Sequence, residues 1–124
     1  MLFRSFDAMA GRFAKQIPSQ RPGSAWLLEK FHITKGRRSE YDHIMLGLHD
    51  TAKLDTDYQR TSARTRFEFP AQSTWMVFTD RVMHAALAGQ FLLEQTFYLP
   101  VDAMRDAGRS PLRVLEKLFQ RPLV

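Results

Sequence analysis

The chain has 124 residues, 44% of them apolar with ten Phe and two Trp, which is enough material for one domain with a core. It has no cysteine, so disulfides, catalytic thiols and thiolate metal sites are excluded, and only nitrogen and oxygen ligands remain. The formal net charge is +5. Residues 1–66 hold 12 Lys/Arg against 7 Asp/Glu and residues 67–124 hold 6 against 6, so the excess points to an anionic partner for the first half. Zinc-finger spacing, RNP-like aromatic-basic strands and heptad-linked basic helices are all missing, which argues against nucleic acid. The opening residues do not read as a secretory signal, and no run approaches the ~20 apolar residues that span a bilayer. These features predict a cytoplasmic protein, at most peripheral on a membrane.

Ser5 followed by Phe6, Met9, Ala10 and Phe13 predicts an amphipathic helix capped by Ser5, with Asp7 at its positive end and Pro18 beyond it. Ser24 is placed to cap a short second helix through Trp26, Leu27, Leu28 and Phe31. The Thr34-Lys-Gly-Arg37-Arg38 stretch then reads as a basic loop. Ser39 with Asp42 three residues on is a capping-box variant opening a third helix with the stripe Tyr41, Ile44, Met45, Leu48 and Ala52. After about Gln59 the period changes to two. Arg64 to Phe69 and Thr74 to Phe78 predict an antiparallel hairpin turning at Pro70 to Ser73, and Phe91 to Leu99 predicts another strand. A short helix near Val101 to Asp106 and a final one opened by Ser110-Pro111 complete the chain. The expected organisation is one α+β domain over residues 1–124: helical to about 60, strands over 64–99 and a C-terminal helix over 110–121. Three or four strands are too few for a closed barrel or a full jelly roll, so the chain reads either as a small α+β fold or as a piece of something larger.

Four histidines, His32, His43, His49 and His84, are the candidate metal ligands. A two-histidine, one-carboxylate iron site usually takes two ligands from a His-x-Asp/Glu pair whose side chains share one face of a strand. None of the four histidines stands in such a pair. His49 and Asp50 are adjacent, which on a helix sends them about 100° apart and makes a poor chelate. His84 follows an apolar run and a Thr79-Asp80 turn. No Gly-x-Ser-x-Gly elbow or Gly-rich phosphate loop occurs.

The run Trp75-Met-Val-Phe-Thr79-Asp80-Arg-Val-Met-His84-Ala-Ala-Leu-Ala-Gly89-Gln90-Phe-Leu-Leu-Glu94-Gln95-Thr96-Phe97 closely resembles the C-terminal region of the Kdo hydroxylases. These are Fe(II)- and 2-oxoglutarate-dependent dioxygenases of Gram-negative bacteria that act on 3-deoxy-D-manno-oct-2-ulosonic acid (Kdo) in the lipopolysaccharide inner core. The similarity extends through Arg21-Pro-Gly-Ser24, Ser39-Glu-Tyr41-Asp42-His43, Met45-Leu-Gly-Leu48-His49-Asp50 and the segment from Ser110 to Leu118. The resemblance implies the later antiparallel strands of a double-stranded β-helix, an incomplete jelly-roll barrel, flanked by helices. It implies that His84 is the distal iron ligand and that Thr79 and Asp80 shape the turn that aims it. The family's His-x-Asp motif lies upstream of the matched region, so the resemblance also implies a C-terminal portion whose missing N-terminal half completes the site. No Arg or Lys lies between Arg81 and Arg105 to grip 2-oxoglutarate, which leaves Gln90 and Gln95 as polar helpers only. Arg37, Arg38, Tyr41, His43 and His49 are candidate contacts for the anionic sugar of a Kdo-containing lipopolysaccharide precursor, reached from the cytoplasmic face of the inner membrane. The alternative is a non-catalytic remnant or anion- and glycan-binding module without metal.

Overall fold

The computed structural model describes all residues, Met1–Val124. Strand β1 (Leu2–Ser5) runs directly into helix α1 (Phe6–Phe13), and a 3-10 turn over Ala14–Gln16 follows. Helix α2 is Ser24–Lys30, α3 is Glu40–Leu54 and α4 is Thr56–Thr61. Strands β2 (Thr65–Arg66) and β3 (Val82–Ala85), two further 3-10 turns and helix α5 (Pro111–Phe119) complete the order.

Helix starts follow the local chemistry closely. The Ser5 hydroxyl accepts from the Ala8 amide at the head of α1, and the capping box of α3 is complete, with the Asp42 amide donating to Ser39 Oγ (3.1 Å) and the Ser39 amide to Asp42 Oδ2 (3.0 Å). Ser110 caps α5, and Pro111 occupies its first turn, where the missing N–H costs nothing. Helix α2 differs from expectation. Its N-cap is Gly23, at φ 79, a conformation L side chains rarely adopt, while Ser24 is already helical and its hydroxyl donates to the Arg21 carbonyl (2.6 Å). Helix α4 was not expected. Asp55 opens it by accepting from the Tyr58 amide (2.7 Å), and the helix buries Tyr58 edge-on against Phe13 with ring centroids 5.0 Å apart.

The core forms where α1, α3 and α5 meet. Phe6, Met9, Ala10 and Phe13 from α1 pack with Ile44, Leu48 and Ala52 from α3, and with Leu112 and Leu115 from α5. The tail returns to close it. Leu123 is buried, its carbonyl accepts from the Tyr41 amide (3.1 Å), and Arg121 pairs with Glu40 (2.8 Å). Gly47 on α3 allows Ile17 to lie close, since a Cβ there would sit 2.8 Å from Ile17 Cγ2.

The sheet corrects the expected strand layout. Its order is β2-β1-β3, and both outer strands run antiparallel to β1, a strand inside the stretch expected to be helical. The predicted hairpin does not form: only Thr65–Arg66 of its first arm is strand, and Thr74 to Phe78 is irregular. Phe91 to Leu99 is likewise irregular and exposed along its length, as are Met76 and Leu87. Near Val101 to Asp106 the helix is a 3-10 turn over Val101–Ala103. Alternation and aromatic content show that a segment suits a pleated, half-buried surface; a strand also needs a neighbour to receive its hydrogen bonds. Within these residues nothing lies beside 86–99 to serve as that neighbour.

Candidate metal-ligand strand and basic depression

The register of β1 places His84 opposite Phe3, which in turn lies opposite Thr65. Residues directly across an antiparallel pair share a face, so Phe3, Thr65 and His84 line one face of the sheet and Arg4 and Met83 the other. Arg4 reaches Gln59 Oε1 (2.7 Å) and the Gln59 carbonyl (2.8 Å), with its guanidinium over Tyr58, and Met83 packs on the core. The His84 face therefore turns away from the helices. An aromatic cluster covers it in part: Phe3 meets Phe69 and Trp75 edge-on, Phe69 stacks on Trp75 at 4.6 Å, and the His84 ring lies 6.5 Å from that of Phe3.

The His84 side chain is exposed, and its Nδ1 stands 3.2 Å from the Val82 carbonyl. A carbonyl only accepts, so Nδ1 carries the proton. Nε2 has no protein partner, so a neutral imidazole with its proton on Nδ1 presents Nε2 as the free ligand atom.

The turn before β3 is fastened at two points. Arg81 makes a bidentate ion pair with Asp7 at the head of α1 (Nη1–Oδ1 2.9 Å, Nη2–Oδ2 2.8 Å), and the Phe6 amide donates to the Arg81 carbonyl (3.3 Å). Tyr41 lies beside Asp80. Burial, and then the neighbouring Asp80 and Asp42 charges, push its phenol well above the ordinary value of 10.0. No local pattern in the sequence signals a contact between positions 7 and 81.

The other predicted site residues do not converge on His84. The His43 Nε2 lies 2.9 Å from the Pro18 carbonyl, and His49 Nδ1 lies 3.2 Å from Asp50 Oδ1 on the exposed side of α3. His32 is exposed at φ 54 after α2, and Gln90 and Gln95 are exposed in the irregular segment. Arg37 and Arg38 instead come together with Arg21 at a depression of about 480 Å³ whose lining also includes Gly23, Trp26 and Ser39. No group of three or more His, Asp or Glu side chains is placed to hold a metal ion. No second histidine or carboxylate gathers beside His84, and one nitrogen donor cannot hold an iron ion in fixed geometry.

Residues 2–122 match the family model described as 3-deoxy-D-manno-oct-2-ulosonic acid (Kdo) hydroxylase, and the chain belongs to that family. Its mixed helices and small antiparallel sheet match a part of the Kdo hydroxylase KdoO, a non-haem Fe(II) α-ketoglutarate-dependent dioxygenase. The structure of KdoO with α-ketoglutarate (2-oxoglutarate) and Fe(III) superposes with a TM-score of 0.94 at 48% identity, over 99% of this chain and 42% of that chain. The cobalt(II) complex and the apo structure give the same TM-score, identity and coverage. The chain therefore spans less than half the length of these relatives. No curated protein matches it significantly.

Proposed function

We propose that the chain is the histidine-bearing C-terminal portion of a Kdo-hydroxylase-type dioxygenase fold. His84 supplies the distal ligand, and the other two ligands come from the portion of the fold outside these 124 residues. The observation that carries this reading is the orientation of His84: Nδ1–H spent on the Val82 carbonyl, Nε2 open, on the sheet face turned away from the helices. When bound in the complete site, iron with 2-oxoglutarate supplies the oxidising power for hydroxylation of a Kdo carbon. The residues of this chain hold and aim the imidazole. The Asp7–Arg81 pair fixes the turn, Phe3 flanks the ring, and Phe69 and Trp75 pack on Phe3.

The sheet with the apolar segment 86–99 is proposed as one wall of the double-stranded β-helix, closed by the missing N-terminal half. Arg37 and Arg38 are the proposed contacts for the acidic groups of a Kdo-containing lipopolysaccharide precursor, because both are exposed and lie with Arg21 at one depression. Tyr41, His43 and His49 are proposed to support the turn and α3 rather than touch the sugar, since each has a neighbour of its own. Gln90 and Gln95 remain polar helpers at most.

The lack of three gathered donors favours a second reading, a module without metal that binds anionic glycans. Titrating the chain with Co(II) and 2-oxoglutarate, alone and with the N-terminal portion of KdoO added in trans, separates the two. The first reading requires a cobalt absorption band only when both pieces are present, lost in His84→Ala. A band that survives His84→Ala refutes His84 as a ligand, and no band in the mixture leaves the metal-free module.

A further inference from the structure

We infer, on the hydroxylase reading of His84, that the aromatic cluster on the same sheet face is a stacking platform for the sugar ring that is hydroxylated, and that Trp75 and Phe69 select a deoxy sugar there. Four aromatic side chains gather at this place, and none belongs to the core between α1, α3 and α5. Phe69 touches two of the others, stacked on Trp75 at 4.6 Å with the ring planes 16° apart and tilted against Phe67 at 4.8 Å. Phe3 is the link to the histidine, its ring 6.4 Å from that of Trp75 and 6.5 Å from that of His84. Phe67 is 52% exposed and the other three are half-buried, so the cluster leaves ring surface open to solvent.

The strand ladder keeps charge off this face. The Phe67 amide donates to the Met1 carbonyl (3.0 Å) and the Met1 amino group to the Phe67 carbonyl (2.9 Å), so the pairing of β1 with β2 runs one residue pair past Leu2 and Arg66. Alternation then puts Thr65 and Phe67 with Phe3 and His84. It puts Arg64 and Arg66 on the opposite face, where they line a depression with Leu2 and Leu87. Arg66 is occupied there by Glu68 (2.8 Å).

Charge and polarity select the occupant. 2-Oxoglutarate is a dicarboxylate and finds no cation among these rings. A pyranose ring carries weakly positive C–H groups that rest on the negative face of an aromatic ring. A 3-deoxy sugar, with a methylene where other sugars carry a hydroxyl, offers the wider apolar face. A sugar held on Trp75 lies on the side of the sheet that carries His84, whose Nε2 is open. A cluster wholly covered by other parts of the fold would leave no room for the sugar beside the metal ligand. Arg37 and Arg38 line the depression beside α2 instead, and meet acidic groups elsewhere on the precursor.

The test uses the 124-residue chain carrying Trp26→Phe and labelled with 5-fluorotryptophan, so that Trp75 gives the one fluorine signal. It is titrated with the methyl pyranosides of Kdo and of glucuronic acid. Both sugars carry a carboxylate, and only Kdo has a ring methylene. We expect a saturable shift of the Trp75 signal with the Kdo glycoside, half complete at roughly millimolar sugar, the range of a small ligand with few contacts. The glucuronic acid glycoside should bind about three- to tenfold more weakly, and Phe69→Leu should weaken Kdo binding by about the same factor. Phe31→Ser, which alters an exposed aromatic outside the cluster, should leave binding unchanged. Saturation transfer from the aromatic protons of the unaltered chain should reach the ring protons of Kdo more strongly than those of its exocyclic side chain. That measurement decides the matter if Phe69→Leu fails to fold by circular dichroism. An unmoved Trp75 signal, equal binding of the two sugars, even saturation along Kdo, or the same loss in Phe31→Ser would overturn the inference. Loss of the Trp75 response when the N-terminal portion of KdoO is added would do so as well, by giving the cluster to the rest of the fold. A His84-dependent cobalt band without a Trp75 response removes the platform alone, and a Trp75 response without the band leaves the stacking site and removes the metal.

Discussion

Removing the Arg81 guanidinium should release the turn that presents His84 without disturbing the core. Arg81 is one-fifth exposed and Asp7 about half exposed, so the pair is neither fully solvated nor buried. Exposed ion pairs contribute roughly 0.2–1 kcal/mol, and charge-assisted hydrogen bonds about 1.5–3. A bidentate pair of mixed exposure falls between, at about 1–1.5 kcal/mol. Arg81→Lys keeps the charge and loses the fork, so about half of that should be lost. With a urea m-value of about 1.5 kcal/mol/M, Arg81→Ala should lower the unfolding midpoint by about 0.7–1 M and Arg81→Lys by about half as much. Amide exchange localises the effect: protection should fall across β3, at Met83 and His84, and stay unchanged at Leu48 in α3. A double-mutant cycle with Asp7→Ala isolates the pair, and added salt should shrink the coupling. A coupling near zero, or equal loss of protection in β3 and α3, would refute the idea that this pair holds the turn.

Two further outcomes are expected. The Tyr41 phenol has a raised folded pKa, from burial and then Asp80, so its contribution to stability is complete below its ordinary value of 10.0 and is lost as pH rises beyond it. Urea midpoints measured from pH 8 to 11.5 should fall above pH 10, and Tyr41→Phe should flatten that fall. Gly47→Ala gains about 1 kcal/mol of helix propensity, but overpacking against Ile17 Cγ2 costs about 1–3 kcal/mol. Thermal unfolding should show a net loss of about 1 kcal/mol, smaller when Ile17→Ala is combined with it.

Some of this molecule was written in short stretches of chain. Ser5, the Ser39/Asp42 pair and Ser110-Pro111 mark three helix starts because a cap acts within three residues of itself. The stripe Ile44, Leu48 and Ala52 marks the buried side of α3 for the same local reason. Helix α4 is not legible in the sequence because six residues carry too little periodicity, and its one clear signal, Asp55 three residues before Tyr58, is common in turns. The Thr79-Asp80-x-Val82-x-His84 block carried the family resemblance, yet the geometry around His84 could not be read from it.

By itself the sequence determined the helix caps, the apolar stripes, the absence of thiol chemistry, the cationic first half and the family to which His84 belongs. Tertiary structure alone decided that Leu2–Ser5 is the central strand, that Phe3 stands beside His84, and that Asp7 holds Arg81. It also decided that Phe91 to Leu99 remains unpaired. The physical reason is common to all of these. Caps and periodicity arise from interactions between residues three or four apart. A strand, an ion pair across 74 positions and the direction of an imidazole depend on a neighbour that folding must bring from elsewhere.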